Sequence, residues 1–158
     1  MGTMPQQKSK AKDLNSMPDL LLMEEIRCML RQYKTIAVVG LSPKPARPSY
    51  QVASYLQDAG YRVIPVNPGQ NEILGQTCYP TLSAIPEPVE IVDIFRKPTE
   101  VTGVVEEAVT IGAKVIWMQS GIINQEAANI ASQAGLSVIM DRCLKVDHMN
   151  SLLGLVTS

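Results

Sequence analysis

At 158 residues, with 46% hydrophobic and 18% charged side chains, the chain has the size and make-up of one globular domain, which excludes collagen-like, disordered and coiled-coil classes. Its 14 Lys and Arg against 15 Asp and Glu leave a net charge of −1, without the basic excess of a protein that lives on nucleic-acid backbone, so any anion it binds is local and small. Cys28, Cys78 and Cys143 are odd in number and scattered, and His148 is the only histidine, which argues against a disulfide framework, a zinc knuckle or a His-rich metal site and points to a reducing compartment, the cytoplasm.

Residues 1–15 are polar, Lys-dotted and aperiodic, and read as a flexible tail with no secretory signal. A single domain over 16–158 follows, opening with a helix over 16–33. Ser16 is placed to cap it, Pro18 suits its first turn, and Leu22, Ile26, Met29, Leu30 and Tyr33 recur at helical spacing. From Thr35 onward, short apolar runs alternate with amphipathic stretches. The spacing predicts strands over 35–40, 61–66, 89–95, 114–118 and 136–140. It predicts helices over 48–59, 99–111 (capped by Thr99) and from Asn124 to Ala134. The stretch 67–81 reads as a loop with an extended piece near Thr77, and 81–85 as a helical turn. The C-terminal remainder reads as irregular or helical. No apolar run approaches the ~18 residues of a membrane-spanning helix.

Connections of helical size force parallel pairing of the five strands, and right-handed crossovers then give an α/β fold: a Rossmann-like, doubly wound five-stranded sheet with helices on both faces. The expected strand order is 3-2-1-4-5, with the switch point beside the first strand. Ligands in such sheets sit at the carboxyl ends of the strands, so function is sought in the residues that follow each one.

After the first strand comes Gly40-Leu-Ser42-Pro43-Lys44-Pro45-Ala46-Arg47-Pro48-Ser49, which is not a G-x-G-x-x-G fingerprint but places two bases beside a helix N-terminus. After the second comes Asn67-Pro68, where an NAD-binding domain needs an acid and an NADP-binding one a base. Phe95-Arg96-Lys97-Pro98 follows the third strand, Gln119-Ser120-Gly121 the fourth and Asp141-Arg142-Cys143 the fifth. A crevice rimmed by Lys44, Arg47, Arg96 and Lys97, with little acid in reach, suits a ligand with several phosphates. No P-loop, nucleophile elbow or H-E-x-x-H motif occurs.

Four segments in order, TIAVVGLSPKPARPSYQVASYLQDAGYRVIPVNPG, IPEPVEIVDIFRKPTEV, GAKVIWMQSGI and VIMDRCLKVDH, resemble the small stand-alone CoA-binding domain proteins over nearly all of Leu20 to His148. That family is similar in fold to the N-terminal domain of the succinyl-CoA synthetase α subunit. The resemblance implies coenzyme A, or an acyl-CoA, held across the strand ends. It implies Gly40, Ser42, Lys44, Arg47 and Ser49 around phosphates or adenosine, and Asn67 and Pro68 beside the nucleotide. It further implies Phe95, Arg96 and Pro98, and Gln119 and Gly121, along the remaining path. Pro43, Pro48 and Lys97 complete the candidate set as residues of the same loops. The ligases carry a glycine-rich loop where this chain has three prolines from Ser42 to Pro48, and a second domain with a phosphorylated histidine that this chain does not contain.

The expectation is therefore a non-catalytic CoA-binding or regulatory module with no metal, no nucleic acid and no membrane, whose protein partner, if it has one, is not named by the sequence. Two alternatives stay open. One is an acyl-transfer enzyme acting through Cys143 or Asp141. The other, disfavoured by Asn67 and Ser42, is a nicotinamide-dependent oxidoreductase.

Overall fold

Val and Ile fill the sheet-forming segments because their branched β-carbons suit extended backbone buried on both faces. In the computed structural model, which describes residues 14–157 (side chains to Leu153), these segments are β1 (Thr35–Val39), β2 (Arg62–Val66), β5 (Ile91–Ile94), β6 (Val115–Met118) and β7 (Ser137–Ile139). All pair in parallel, in the order β2-β1-β5-β6-β7. Counting only these five, the order is 2-1-3-4-5, which corrects the expected 3-2-1-4-5. The third of them lies beside the first, because the chain crosses back over β1 after β2 instead of continuing outward. The switch point stays beside β1, between it and β5.

The return path includes a small hairpin, β3 (Glu72–Ile73) with β4 (Gln76–Thr77), turning through Leu74 and Gly75, both with positive φ. The extended piece expected near Thr77 is this hairpin. Leu82–Ala84 forms the expected helical turn, here 3-10.

Among the described residues, five α-helices cover the sheet: α1 (Asp19–Gln32), α2 (Pro48–Asp58), α3 (Val101–Thr110), α4 (Gln125–Gln133) and α5 (Leu144–Thr157). Strand alternation sends Ile36, Val38, Val115 and Trp117 to one face, where they meet Ile26 and Met29 of α1, Val52 and Leu56 of α2 and Leu144 of α5. Ala37, Val39, Ile116 and Met118 point to the other face and pack on Val105 of α3 and Ala127 and Ala131 of α4. Among the described residues, no helix is long and apolar enough to cross a membrane.

Some expected boundaries shift. Residues 1–13 of the expected tail lie outside the described residues. Leu14 is buried and Asn15 Oδ1 accepts a hydrogen bond from the Met140 amide, so ordered packing begins before residue 16. Ser16 sits in a 3-10 turn over Leu14–Ser16, and Pro18 takes the N-cap position of α1 without a side-chain cap. Thr99 is likewise no cap. It lies inside a 3-10 turn over Pro98–Glu100, and α3 begins one residue after that turn. Asn124 caps α4 as expected, its Oδ1 accepting from the Ala127 amide at 2.9 Å.

Two buried groups give this core a pH dependence. Asp93 stands in the row Val38–Asp93–Trp117, fully buried, and neither carboxyl oxygen has a hydrogen-bond partner. Burial pushes its carboxyl well above the usual value of 3.8, so the neutral acid is the folded form. His148 of α5 lies edge-on to the rings of Tyr55 and Tyr61 and shares a 2.6 Å hydrogen bond through Nδ1 with the Tyr55 hydroxyl. Burial, helped by the nearby charge of Lys34, holds its imidazole below 6.5.

The two act in opposite directions. With its folded value raised, Asp93 holds a proton that the unfolded chain releases, so its contribution is greatest at acid pH and is lost as pH rises toward the folded value. With its folded value lowered, His148 contributes stability above 6.5 that is lost as pH falls toward the folded value. Denaturant unfolding of Asp93→Asn should show the variant gaining on the parent as pH rises from about 4 to about 8, because the amide does not ionise. Parallel pH curves would mean that the folded state holds Asp93 ionised and partnered. His148→Phe should cost roughly 0.5–1.5 kcal/mol at neutral pH for the lost hydrogen bond, and should flatten the decline seen on acidification below 6.5. An unchanged acid slope would assign that decline to other groups.

Candidate functional site

The chain leaves β1 through Gly40. Gly40 has a φ of +87°, and its amide donates to the Val66 carbonyl at the end of β2. A β-carbon at Gly40 would lie 2.2 Å from the Phe95 carbonyl oxygen and 3.0 Å from the Arg96 side chain. Glycine is needed both for the dihedral and for the close passage of β1's end against β5's end.

Beyond Gly40 the loop is fastened by its own serines. The Ser42 amide donates to Ser49 Oγ at 3.0 Å, and the Lys44 amide donates to Ser42 Oγ at 3.1 Å. Pro43, Pro45 and Pro48 remove further backbone freedom, and Pro48 opens α2 at a position where a missing amide hydrogen is tolerated. Arg47 occupies the N-cap position without a side-chain cap. Pro48 has no amide hydrogen and the Gln51 amide bonds the Arg47 carbonyl, so the Ser49 and Tyr50 amides and the positive end of the dipole are left for an external acceptor.

Gly40, Ser42, Lys44, Arg47, Pro48, Ser49 and Phe95 line one open cleft of about 450 Å³ at the carboxyl ends of the strands. These seven are all candidate residues from the sequence. The Lys44 and Arg47 side chains are exposed at its rim and have no ion-pair partner among the described residues. Pro43 lies in the same loop, exposed.

The other candidates do different work. Asn67 Nδ2 donates to the Leu41 carbonyl and Oδ1 accepts from the Gly69 amide, both at 2.9 Å, so its side chain ties the loop after β2 to the loop after β1. Pro68 is the next residue of that turn. Arg96 Nε lies 2.8 Å from Glu100 Oε1, four residues on, which corrects the expected rim of cations with little acid in reach. Lys97 precedes the 3-10 turn, and the Pro98 carbonyl accepts from Asn124 Nδ2. Gln119 is buried and its Oε1 accepts from the Leu144 amide, fastening the start of α5. The Gly121 amide donates to Asp141 Oδ1 at 2.7 Å, which occupies the carboxylate read as a candidate acid. Arg142 forms a two-pronged ion pair with Asp147, and Cys143 is a free thiol partly buried against the core. Among the described residues, no group of three or more His, Cys, Asp and Glu is arranged to hold a metal ion.

The Arg96–Glu100 pair was open to sequence reading, since i,i+4 is the spacing of helical ion pairs. Asp93 gave less signal, because an acid inside an apolar strand does not show whether it has a partner.

Residues 34–149 match the family described as CoA binding domain. A Bacillus subtilis protein described as uncharacterized protein YneT is 45% identical over 78% of this chain and 92% of its own. A hypothetical protein from Pyrococcus horikoshii OT3 has a solved structure that superposes with a TM-score of 0.83 at 41% identity, covering 92% of this chain and 99% of that one. An ADP-forming acetate–CoA ligase of Archaeoglobus fulgidus is 28% identical over 70% of this chain, a stretch that spans 18% of the ligase's length.

The passage at Gly40 makes a structural prediction. Gly40→Ala should destabilise by at least about 1–2 kcal/mol through the dihedral alone, with the backbone clash added. Gly60→Ala, at a φ of +99° with open space around it, should lose only the dihedral part. Equal losses of melting temperature for the two would show that the loop gives way at Gly40 without cost.

Proposed function

The chain belongs to the CoA-binding domain family, and from that premise we propose that it binds coenzyme A, or an acyl-CoA, in the cleft at the strand ends as a binding or regulatory module. The observation that carries this reading is the uncapped N-terminus of α2, with Lys44 and Arg47 beside it and Gly40 beneath it. Coenzyme A carries a diphosphate and a 3′-phosphate. Free amides, a positive dipole end and two cations are what such groups require.

Binding is favoured over chemistry by how the other reactive groups are used. Asp141 is held by the Gly121 amide, His148 by Tyr55, and Cys143 packs against the core. A dinucleotide reading is disfavoured because Asn67 spends both ends of its amide on the backbone. All three cysteines are free thiols, in keeping with a reducing, cytoplasmic setting.

Titration calorimetry with coenzyme A and with NAD tests the ligand class. Coenzyme A should bind more tightly, and the reverse ranking would overturn the assignment. A charge-assisted bond to phosphate is worth about 1.5–3 kcal/mol, so Arg47→Ala should weaken coenzyme A about 10-fold or more. The loss should be smaller for dephospho-CoA if the 3′-phosphate is its partner. Unchanged affinity for both ligands would leave Arg47 a solvated loop residue.

A further inference from the structure

Most of the large apolar side chains exposed among the described residues fall on two helices: Leu20 and Leu21 of α1, and Val146, Met149, Leu152 and Leu153 of α5. The two helices pack against each other on the same sheet face, so their outward sides form one continuous surface. From Met149 to the end of α5 the sequence carries no charge. α5 turns Asp147, His148 and Ser151 inward together with Leu144, and presents Val146, Met149, Leu152 and Leu153 outward; an apolar outward side of this kind is the mark of a helix with a partner. Residues 1–13 are polar and Lys-dotted and offer little apolar surface to cover it.

The charge on α1 indicates what that partner is. Leu20, Glu24, Cys28 and Arg31 lie along its exposed side. Acids (Asp19, Glu24, Glu25) occupy the first half of the helix and bases (Arg27, Arg31) the second. A helix with this division is complementary to itself when two copies run antiparallel. With a two-fold axis near Cys28, Glu24 of each copy faces Arg31 of the other, although Glu24 also bonds Arg27 within its own helix. An isologous interface requires this kind of self-complementarity.

We propose that the α1–α5 face is a two-fold dimer interface, with a second copy of this chain as its occupant, the two α1 helices antiparallel and the apolar side of α5 alongside. This surface is separate from the cleft, and the proposal stands whatever the ligand.

Sedimentation velocity of the full chain without ligand, across a wide concentration range, is the test. The expected result is a species of twice the 17.2 kDa chain mass that dissociates on dilution. Met149→Lys with Leu153→Lys should shift it to the monomer while the circular dichroism spectrum stays that of the folded parent, since both side chains are exposed. Glu24→Arg alone and Arg31→Glu alone should each weaken the dimer, and the two together should restore it. A monomer at every concentration would overturn the proposal and leave the face to residues 1–13 or to a different protein. A dimer that survives the lysine pair, or one indifferent to the charge reversals, would overturn it as well.

Discussion

The closeness of Gly40 to the Phe95 carbonyl is the constraint on which the cleft depends. β1 and β5 are the neighbouring strands whose connections leave toward opposite faces of the sheet. After β1 the chain passes to α2 on one face, and after β5 it passes to α3 on the other. Loops that part in this way open a crevice between them, but only if the two strand ends stay side by side. The Phe95 amide donates to Val39 and the Gly40 amide to Val66, so β1's end is stitched to both neighbours at the point of divergence. No residue with a β-carbon fits in the remaining gap. The rigid loop, the serine bonds and the uncapped helix start all take their positions from that seam.

The elements were legible because their residues obey one period at a time. The β-branched strand runs, the Asn124 cap and the proline at the start of α2 each state a local preference that the packed fold keeps. Strand order was not legible to the same degree. Nothing in the length of the β2-to-β5 connection distinguishes a step outward from a step back over β1, and the hairpin on that path follows from Leu74 accepting a positive φ against its propensity. The cleft's lining was readable because Gly40 to Ser49 is continuous in sequence. The uses of Asn67, Gln119 and Asp141 were not, because an amide or carboxylate that fastens backbone looks in sequence like one that awaits a ligand.

The polar groups of the interior divide along the same line. Gln119 and the Arg142–Asp147 pair are satisfied, and both brace the start of α5. His148 is satisfied by Tyr55, in a shell of tyrosine rings with Lys34 over one and Lys145 over the other. That arrangement favours the neutral imidazole and opposes a second positive charge. Asp93 has no such shell. Burial favours its neutral form, so what the group contributes to folding falls as the carboxyl ionises.

The same domain can stand alone or form about a fifth of a ligase because of where it keeps its recognition groups. Every residue lining the cleft comes from one continuous loop and helix start, plus Phe95 from the neighbouring strand end. None of them needs a second domain to be held in place, since the prolines, the two serines and the Gly40 seam do that locally. In coenzyme A the phosphates lie far from the thiol, so a protein can grip the nucleotide end without touching the reacting end. On the reading proposed here, recognition is complete within this fold. Acyl transfer would need a positioned acid–base pair and an activated acyl donor brought to the thiol; in this fold Asp141 holds the Gly121 amide and Cys143 packs against the core.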